Sequence, residues 1–325
     1  MRLGMVCALS AALLAGCGKP EAPRPREVVI LACTAQPQGT LVQVALAKGY
    51  FLEQGLDVRP QLHPFGKLAL QSLVEGKADV ATAADTPIMF QILAGQQLRL
   101  LATLVASNAN NAVVGLRSAG LASLRDLKGK RVAYTPGTTS DFFLSSLLAA
   151  HGLARRDVTE RPLAPGEMLR ALETGAVDAA STWNYSLSTI ANALGTRGVV
   201  LLDSGTYTET FNLVASDEFV RRRGDVVARL LRALIQSEHF VREQPQQAQA
   251  IMAAASHVDL PLVQQVWPVF RFQVGLEPNL LNTLRDETRW AMAAGLAKSA
   301  AVPDYRDYVY PAGLRAVGRL PAEGK

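Results

Sequence analysis

Gly137-Thr138-Thr139-Ser140-Asp141 is the segment with the clearest chemistry. It lies between a strand-like run and a helix-like run, so backbone N–H groups stand unpaired at a helix start. With the neighbouring hydroxyls they make a site for an anionic head group. The same residues also fit an ordinary cap, with Thr138 and Asp141 as a capping box. Asp85-Thr86 carries the opposite charge. Asp85 either caps the helix that begins near Thr86-Pro87 or faces a cationic or hydroxyl-bearing part of a ligand. Phe65, Trp183, Tyr185 and Tyr207 offer flat walls for an organic body, although large aromatics equally serve as core. Asn184 sits between two of them. Thr34, Gln36 and Gln38 end the first strand-like run, where they hydrogen-bond a ligand or simply close the strand. None of these turns holds an arginine, so a bidentate carboxylate fork is missing. Neutral donors at a helix end suit a weakly basic anion such as a sulfonate, and a nearby acid suits a zwitterion.

Catalysis finds little support. The histidines at 63, 151, 239 and 257 show no metal-ligand spacing. There is no Gly-x-Ser-x-Gly elbow and no glycine-rich phosphate loop. No catalytic residue, metal or cofactor is therefore expected. Cys33 reads as a small apolar side chain in the core.

The elements that must position these turns alternate regularly. Strands are expected at 28–34, 57–63, 78–84 and 98–105, with helices at 40–51, 68–73 and from Thr86 onward. A polar cluster at 107–111 marks a first crossover. A second strand–helix series then runs to a strand at 199–203, and a strand at 211–215 crosses back. The helix at 225–241 is stopped by Pro245, and the remainder reads as mainly helical. The expected fold class is α/β: a two-lobed arrangement of mostly parallel sheets with helices on both faces and two crossover segments. The expected divisions are 28–106 for the first part of lobe 1, 107–207 for lobe 2 and 208–325 for the rest of lobe 1. Ligands of open α/β sheets sit beyond the carboxyl ends of the strands, where the turns named above fall.

The N-terminus predicts export. Arg2, an apolar run of about 14 residues and small residues before Cys17 form a secretory signal, too short to span a bilayer as a helix. Leu14-Ala15-Gly16-Cys17 resembles the lipobox of bacterial lipoproteins. Residues 1–16 are thus expected to leave as a signal peptide, Cys17 to carry lipid, and 17–27 to serve as a proline- and charge-rich tether. Cys33 then lacks a disulfide partner. With 49% hydrophobic and 19% charged residues among 325, the chain is globular. A net charge of +5 is spread along it. Arg221-Arg222-Arg223 has no aromatic interleaving and reads as a solvated helix face, so no nucleic-acid partner is expected.

Three fragments occur in a telling order: Ala47-Lys-Gly-Tyr-Phe51 with Gly55-Leu-Asp-Val58, Gly76-Lys-Ala-Asp-Val80, and Asp126-Leu-Lys-Gly-Lys-Arg-Val132. With Val302-Pro-Asp-Tyr-Arg-Asp-Tyr308, they make the chain similar to solute-binding proteins of ABC importers, in the branch of nitrate, taurine and aliphatic-sulfonate binders. The resemblance spans about residues 28 to 310. It implies a periplasmic-binding-protein type II fold, a small-molecule ligand held by hinge closure, and an ABC permease as partner. It further implies a monomer in the periplasm or at the cell surface. Alternatives are a pyrimidine, thiamine-precursor or other aromatic ligand, and a sensing role beside a membrane kinase. An enzyme on the same fold is the weaker rival, because the cysteine-rich motif of the pyrimidine-making branch is missing.

Overall fold

The computed structural model describes residues 26–299 and 301–320. The expected signal peptide, Cys17 and nearly all of the tether lie outside the described residues. The chain opens with β1 (Glu27–Thr34), α1 (Thr40–Lys48), α2 (Tyr50–Glu53), β2 (Leu56–His63), α3 (Gly66–Val74), β3 (Val80–Ala84), α4 (Asp85–Leu93) and β4 (Leu98–Ser107). Three residues later a second series begins with β5 (Asn111–Leu116), β6 (Arg131–Tyr134), α5 (Thr139–Ala150) and β7 (Thr159–Pro162). It continues through α6 (Met168–Glu173), β8 (Ala179–Trp183), α7 (Ser186–Leu194) and β9 (Gly198–Leu201). The return starts at β10 (Glu209–Ser216), followed by α8 (Asp217–Arg222), α9 (Gly224–Glu243), α10 (Pro245–Ser256) and α11 (Leu260–Val266). β11 (Arg271–Gly275), α12 (Leu280–Ala293) and α13 (Pro311–Ala316) complete it.

Two sheets result. The larger has the order β11-β4-β10-β3-β1-β2 and the smaller β7-β6-β8-β5-β9. The larger sheet is thus built from both ends of the chain, and the smaller from the middle. Helices flank each, as expected. The strand directions differ from expectation. β1 pairs in parallel with β2 and β3, and β6 with β7 and β8, whereas β10, β4 and β11, like β5 with β8 and β9, are antiparallel. The sheets are mixed rather than mostly parallel. Strands buried on both faces read as continuous apolar runs in either direction, so the pattern in β4 and β10 is silent about polarity.

Local chemistry accounts for most boundaries. Gly49 takes a left-handed φ of 75° and splits the expected helix at 40–51 into α1 and α2. Pro245 ends α9 but also opens α10, where its missing N–H costs nothing. β11 is a short edge strand with mostly solvent-facing residues, and its weak apolar signal explains why that region reads as helical. α9 buries Val226, Val227, Leu230, Leu231, Leu234 and Val241 along one stripe against the larger sheet. Each such side chain contributes about 1.5–3 kcal/mol on full burial. Tyr305, in the late segment, is fully buried against α12 beside the other face of that sheet. In the smaller lobe, α5 buries Phe142, Phe143, Leu144, Leu147 and Leu148.

Candidate ligand-binding site

A narrow cavity lies where the two lobes meet. Its walls come mostly from the carboxyl ends of strands and the helix starts that follow them, where an open α/β sheet leaves backbone groups free, with the amino end of the antiparallel β10 added. The larger lobe supplies Thr34, Gln36, Gln38, Phe65, Gly66, Lys67, Ala84, Pro87, Glu209 and Phe211. The smaller lobe supplies Thr138, Thr139 and Trp183.

The α5 start is arranged as a donor surface. Gly137 has φ 64°, a left-handed turn that glycine adopts cheaply. Its N–H donates to Asp141 Oδ2 at 2.9 Å. The Thr138 hydroxyl donates to the Thr135 carbonyl at 2.7 Å, and Ser140 Oγ accepts from the Thr135 N–H at 3.0 Å. Thr139 Oγ1 donates to Asn111 Oδ1 at 3.1 Å. The hydroxyls are therefore occupied within the protein. Thr138 makes no side-chain cap bond, so the expected capping box of Thr138 and Asp141 does not form. Asp141 serves Gly137 instead, and Arg155 grips its other oxygen at 3.0 Å. Among the described residues, the N–H groups of Thr138, Thr139 and Ser140 meet no acceptor.

Lys67 adds the positive charge that the sequence reading lacked. It stands in the first turn of α3, exposed at the cleft, and its Nζ donates to the Pro136 carbonyl of the other lobe at 2.8 Å. Burial lowers its pKa, and the nearby Asp141 pulls the other way. Phe65 and Trp183 face each other edge to face from opposite lobes, with centroids 6.1 Å apart. Gln36 Oε1 accepts from the Tyr185 N–H at 3.2 Å, a second tie between lobes.

Glu209 is the acidic member. It is buried at the start of β10, and its Oε2 accepts from Asn110 Nδ2 at 2.8 Å and from Asn111 Nδ2. Asn110 ends the outgoing connection after β4, and Asn111 opens β5. Burial pushes the Glu209 carboxyl up to about 7, the negative charge of Asp85 adds to this, and the amides of Asn110, Asn111 and Gln38 oppose it.

Of the residues singled out in the sequence, Thr34, Gln36, Phe65, Thr138, Thr139 and Trp183 line the cavity. Asp85 does not. It is fully buried, with Oδ2 accepting from Thr210 N at 2.9 Å and Thr210 Oγ1 at 3.0 Å, and Oδ1 from Thr86 N at 3.0 Å and the Tyr207 hydroxyl. Tyr207 and Thr86, the latter bonded to Glu287, are spent in the same network. Tyr185 packs into the apolar core of the larger lobe. The Asn184 N–H donates to Asn110 Oδ1, and its own Oδ1 accepts from Ser188. Gly137 and Asp141 face a neighbouring groove that also touches Lys67 and Arg155, while Ser140 is buried. Lys67, Glu209 and Phe211 went unread. A lone glutamate heading an otherwise buried run, Glu-Thr-Phe-Asn-Leu-Val-Ala, is the signal that points to Glu209.

Comparison with known proteins places the chain in a family. The family model described as NMT1/THI5 like matches residues 36–248, more than half of the chain. The chain belongs to the NMT1/THI5-like family. The expected kinship thus holds. One relative within reach of this family is a putative aliphatic sulfonates-binding protein of Escherichia coli, 26% identical over 203 residues, a match that spans 62% of either chain. Another is a putative thiamine biosynthesis protein of Haemophilus influenzae, 27% identical over 285 residues, or 83% of this chain and 80% of the relative. In structure, the chain is similar to the alkanesulfonate-binding protein SsuA of Xanthomonas axonopodis pv. citri bound to MOPS. The TM-score is 0.75 at 20% identity, covering 87% of this chain and 98% of that one. This likeness shows the fold: two α/β lobes of the periplasmic-binding-protein kind.

Proposed function

We propose that this chain is an extracytoplasmic solute-binding protein of an ABC importer that captures a small organic sulfonate. The observation that carries the reading is the α5 start, where unengaged N–H groups of Thr138 and Thr139 and the Lys67 ammonium border one cavity shared by both lobes. Helix-start amides and a lysine suit a diffuse, weakly basic oxyanion better than a carboxylate, which favours an arginine fork. The names of the sulfonate-binding relatives in Escherichia coli and Xanthomonas support the same class. In this reading 28–106 and 208–325 act as one lobe and 107–207 as the other. They close by hinge motion, since a ligand that touches both lobes favours the closed state. Export by the N-terminal segment and lipid anchoring at Cys17 complete the proposal, and delivery is to a membrane permease.

A second reading has its own support. Phe65, Trp183 and Phe211 give the cavity aromatic walls, and one relative is named for thiamine biosynthesis, so a flat amino-heterocycle is the competing ligand. Catalysis by Cys33 has no support: the thiol is fully buried, lies off the cavity lining, and burial pushes it up to about 12.

A thermal-shift screen followed by calorimetry tests the assignment. Sulfonates such as taurine, ethanesulfonate and MOPS are expected to raise the melting temperature with concentration. A screen in which no sulfonate binds, while a pyrimidine does, overturns it in favour of the second reading.

A further inference from the structure

The cavity has two ends of opposite chemistry, and the second end narrows the ligand class. Glu209 and Gln38 both line it, and each side chain is about 4% exposed. The two asparagine amides that hold Glu209 share its Oε2, which leaves Oε1 with lone pairs to offer. Gln38 Oε1 is buried and has no partner among the described residues. No cation pairs with Glu209 among the described residues. Gln38 turns its amide toward Glu209, so among the described residues its own buried Oε1 lacks a donor and the Glu209 carboxylate lacks a cation, an arrangement that costs free energy until something supplies hydrogens and charge.

A plain sulfonate cannot supply them, because its head has only acceptors and its tail is apolar. We propose that Glu209 and Gln38 form an acceptor pair for a protonated nitrogen at the far end of the ligand. The site is therefore selective for amino-sulfonates over simple alkanesulfonates. This rests on the sulfonate reading of the α5 start. The spacing fits a short molecule. Thr139 at the donor end bonds Asn111, and Asn111 bonds Glu209, so a single asparagine side chain bridges the two ends. A two- or three-carbon linker between sulfonate and ammonium matches that span. The aromatic walls of Phe65 and Trp183 then flank the linker and exclude water.

The ionic states agree with this division. Burial and the neighbouring Asp85 raise Glu209, so an arriving ammonium favours the carboxylate that burial disfavours. The groups that face it are Asp85, Asn110, Asn111 and Gln38; Glu287, also buried, couples to Asp85 and feels Glu209.

Calorimetry with taurine, ethanesulfonate and isethionate on the wild type, Glu209→Gln and Gln38→Leu decides the matter. Glutamine at 209 keeps an acceptor for Asn110 and Asn111, and circular-dichroism melting of each variant reports folding independently. Wild type is expected to bind taurine at least about 10-fold more tightly than ethanesulfonate, as for a charge-assisted hydrogen bond. Glu209→Gln is expected to erase most of that ratio, and Gln38→Leu to shrink it. Equal wild-type affinities for taurine and ethanesulfonate overturn the acceptor-pair inference while leaving sulfonate capture standing. A preference that survives in Glu209→Gln also overturns it. Binding of 4-aminopyrimidine without any sulfonate, abolished by Glu209→Gln, supports the acceptor pair and overturns the sulfonate reading instead.

Discussion

Lys67 and Pro136 join the two lobes: the lysine ammonium leaves the first turn of α3 and meets the proline carbonyl of the other lobe at 2.8 Å. One side chain thus lines the cavity and ties the lobes together, so in the proposed function anion binding and cleft closure share an atom.

Lys67→Met should weaken sulfonate binding by about 10- to 100-fold, the equivalent of losing one charged hydrogen bond of about 1.5–3 kcal/mol. The fold should survive, because the lysine is exposed and its stem is replaced. Titration calorimetry measures the loss, and unchanged affinity removes Lys67 from the site.

The α5 amides can be tested without disturbing the helix. Thr139 is the first helical residue, where proline is tolerated, and Thr138 before it is extended at φ −128° and ψ 176°, as a residue preceding proline must be. Thr139→Pro deletes one N–H and the hydroxyl, while Thr139→Ala deletes the hydroxyl alone. Affinity should fall by about 10-fold in the proline variant relative to the alanine variant. Equal affinities in the two would show that the amide is idle.

Gly137→Ala places a methyl 2.9 Å from Lys67 Nζ at a residue with φ 64°. Left-handed strain costs about 1 kcal/mol. The expected result is a drop of a few degrees in melting temperature together with weaker ligand binding, because the lysine is displaced. A binding curve that matches wild type argues that Lys67 has another comfortable position.

How far did the residues alone reveal this site? The strand–helix alternation placed the turns correctly, and Thr138, Thr139, Phe65 and Trp183 do share one cavity. The acidic residue came out differently. Asp85 stands at a strand end, as a ligand contact should, but its carboxylate folds back onto Thr210, 125 positions away. A contact at that separation leaves no local trace. Glu209 takes the place at the cavity because β10 begins two residues earlier than its apolar run suggests. Lys67 was not legible as a site residue because it stands one residue inside α3, past the turn that the strand end marks. Strand polarity was equally hidden, since burial on both faces erases the alternation that direction-specific pairings leave.

The buried acids make stability depend on pH. Asp85 is pushed up to about 6 from 3.8 and Glu209 to about 7 from 4.5, both chiefly by burial, and Glu287 lies well above its ordinary range. The folded protein holds these protons more tightly than the unfolded chain does. Their contribution is therefore fully present below the ordinary carboxyl range and is lost as pH rises through about 6 and then about 7. Urea midpoints of the ligand-free protein should fall from about pH 5 to about pH 8, and Glu209→Gln should flatten the slope. A midpoint that climbs over that interval contradicts the assignment.

Glu209 opens the returning strand, and the asparagines that hold it stand where the outgoing connection meets β5. The chain's two passages between lobes are therefore stitched together at the floor of the pocket. In the proposed reading, a solute seated on that carboxylate would pull on both cords of the hinge at once. Occupancy would then need no relay through the protein to be felt as closure, for sensor and pivot would be the same few atoms.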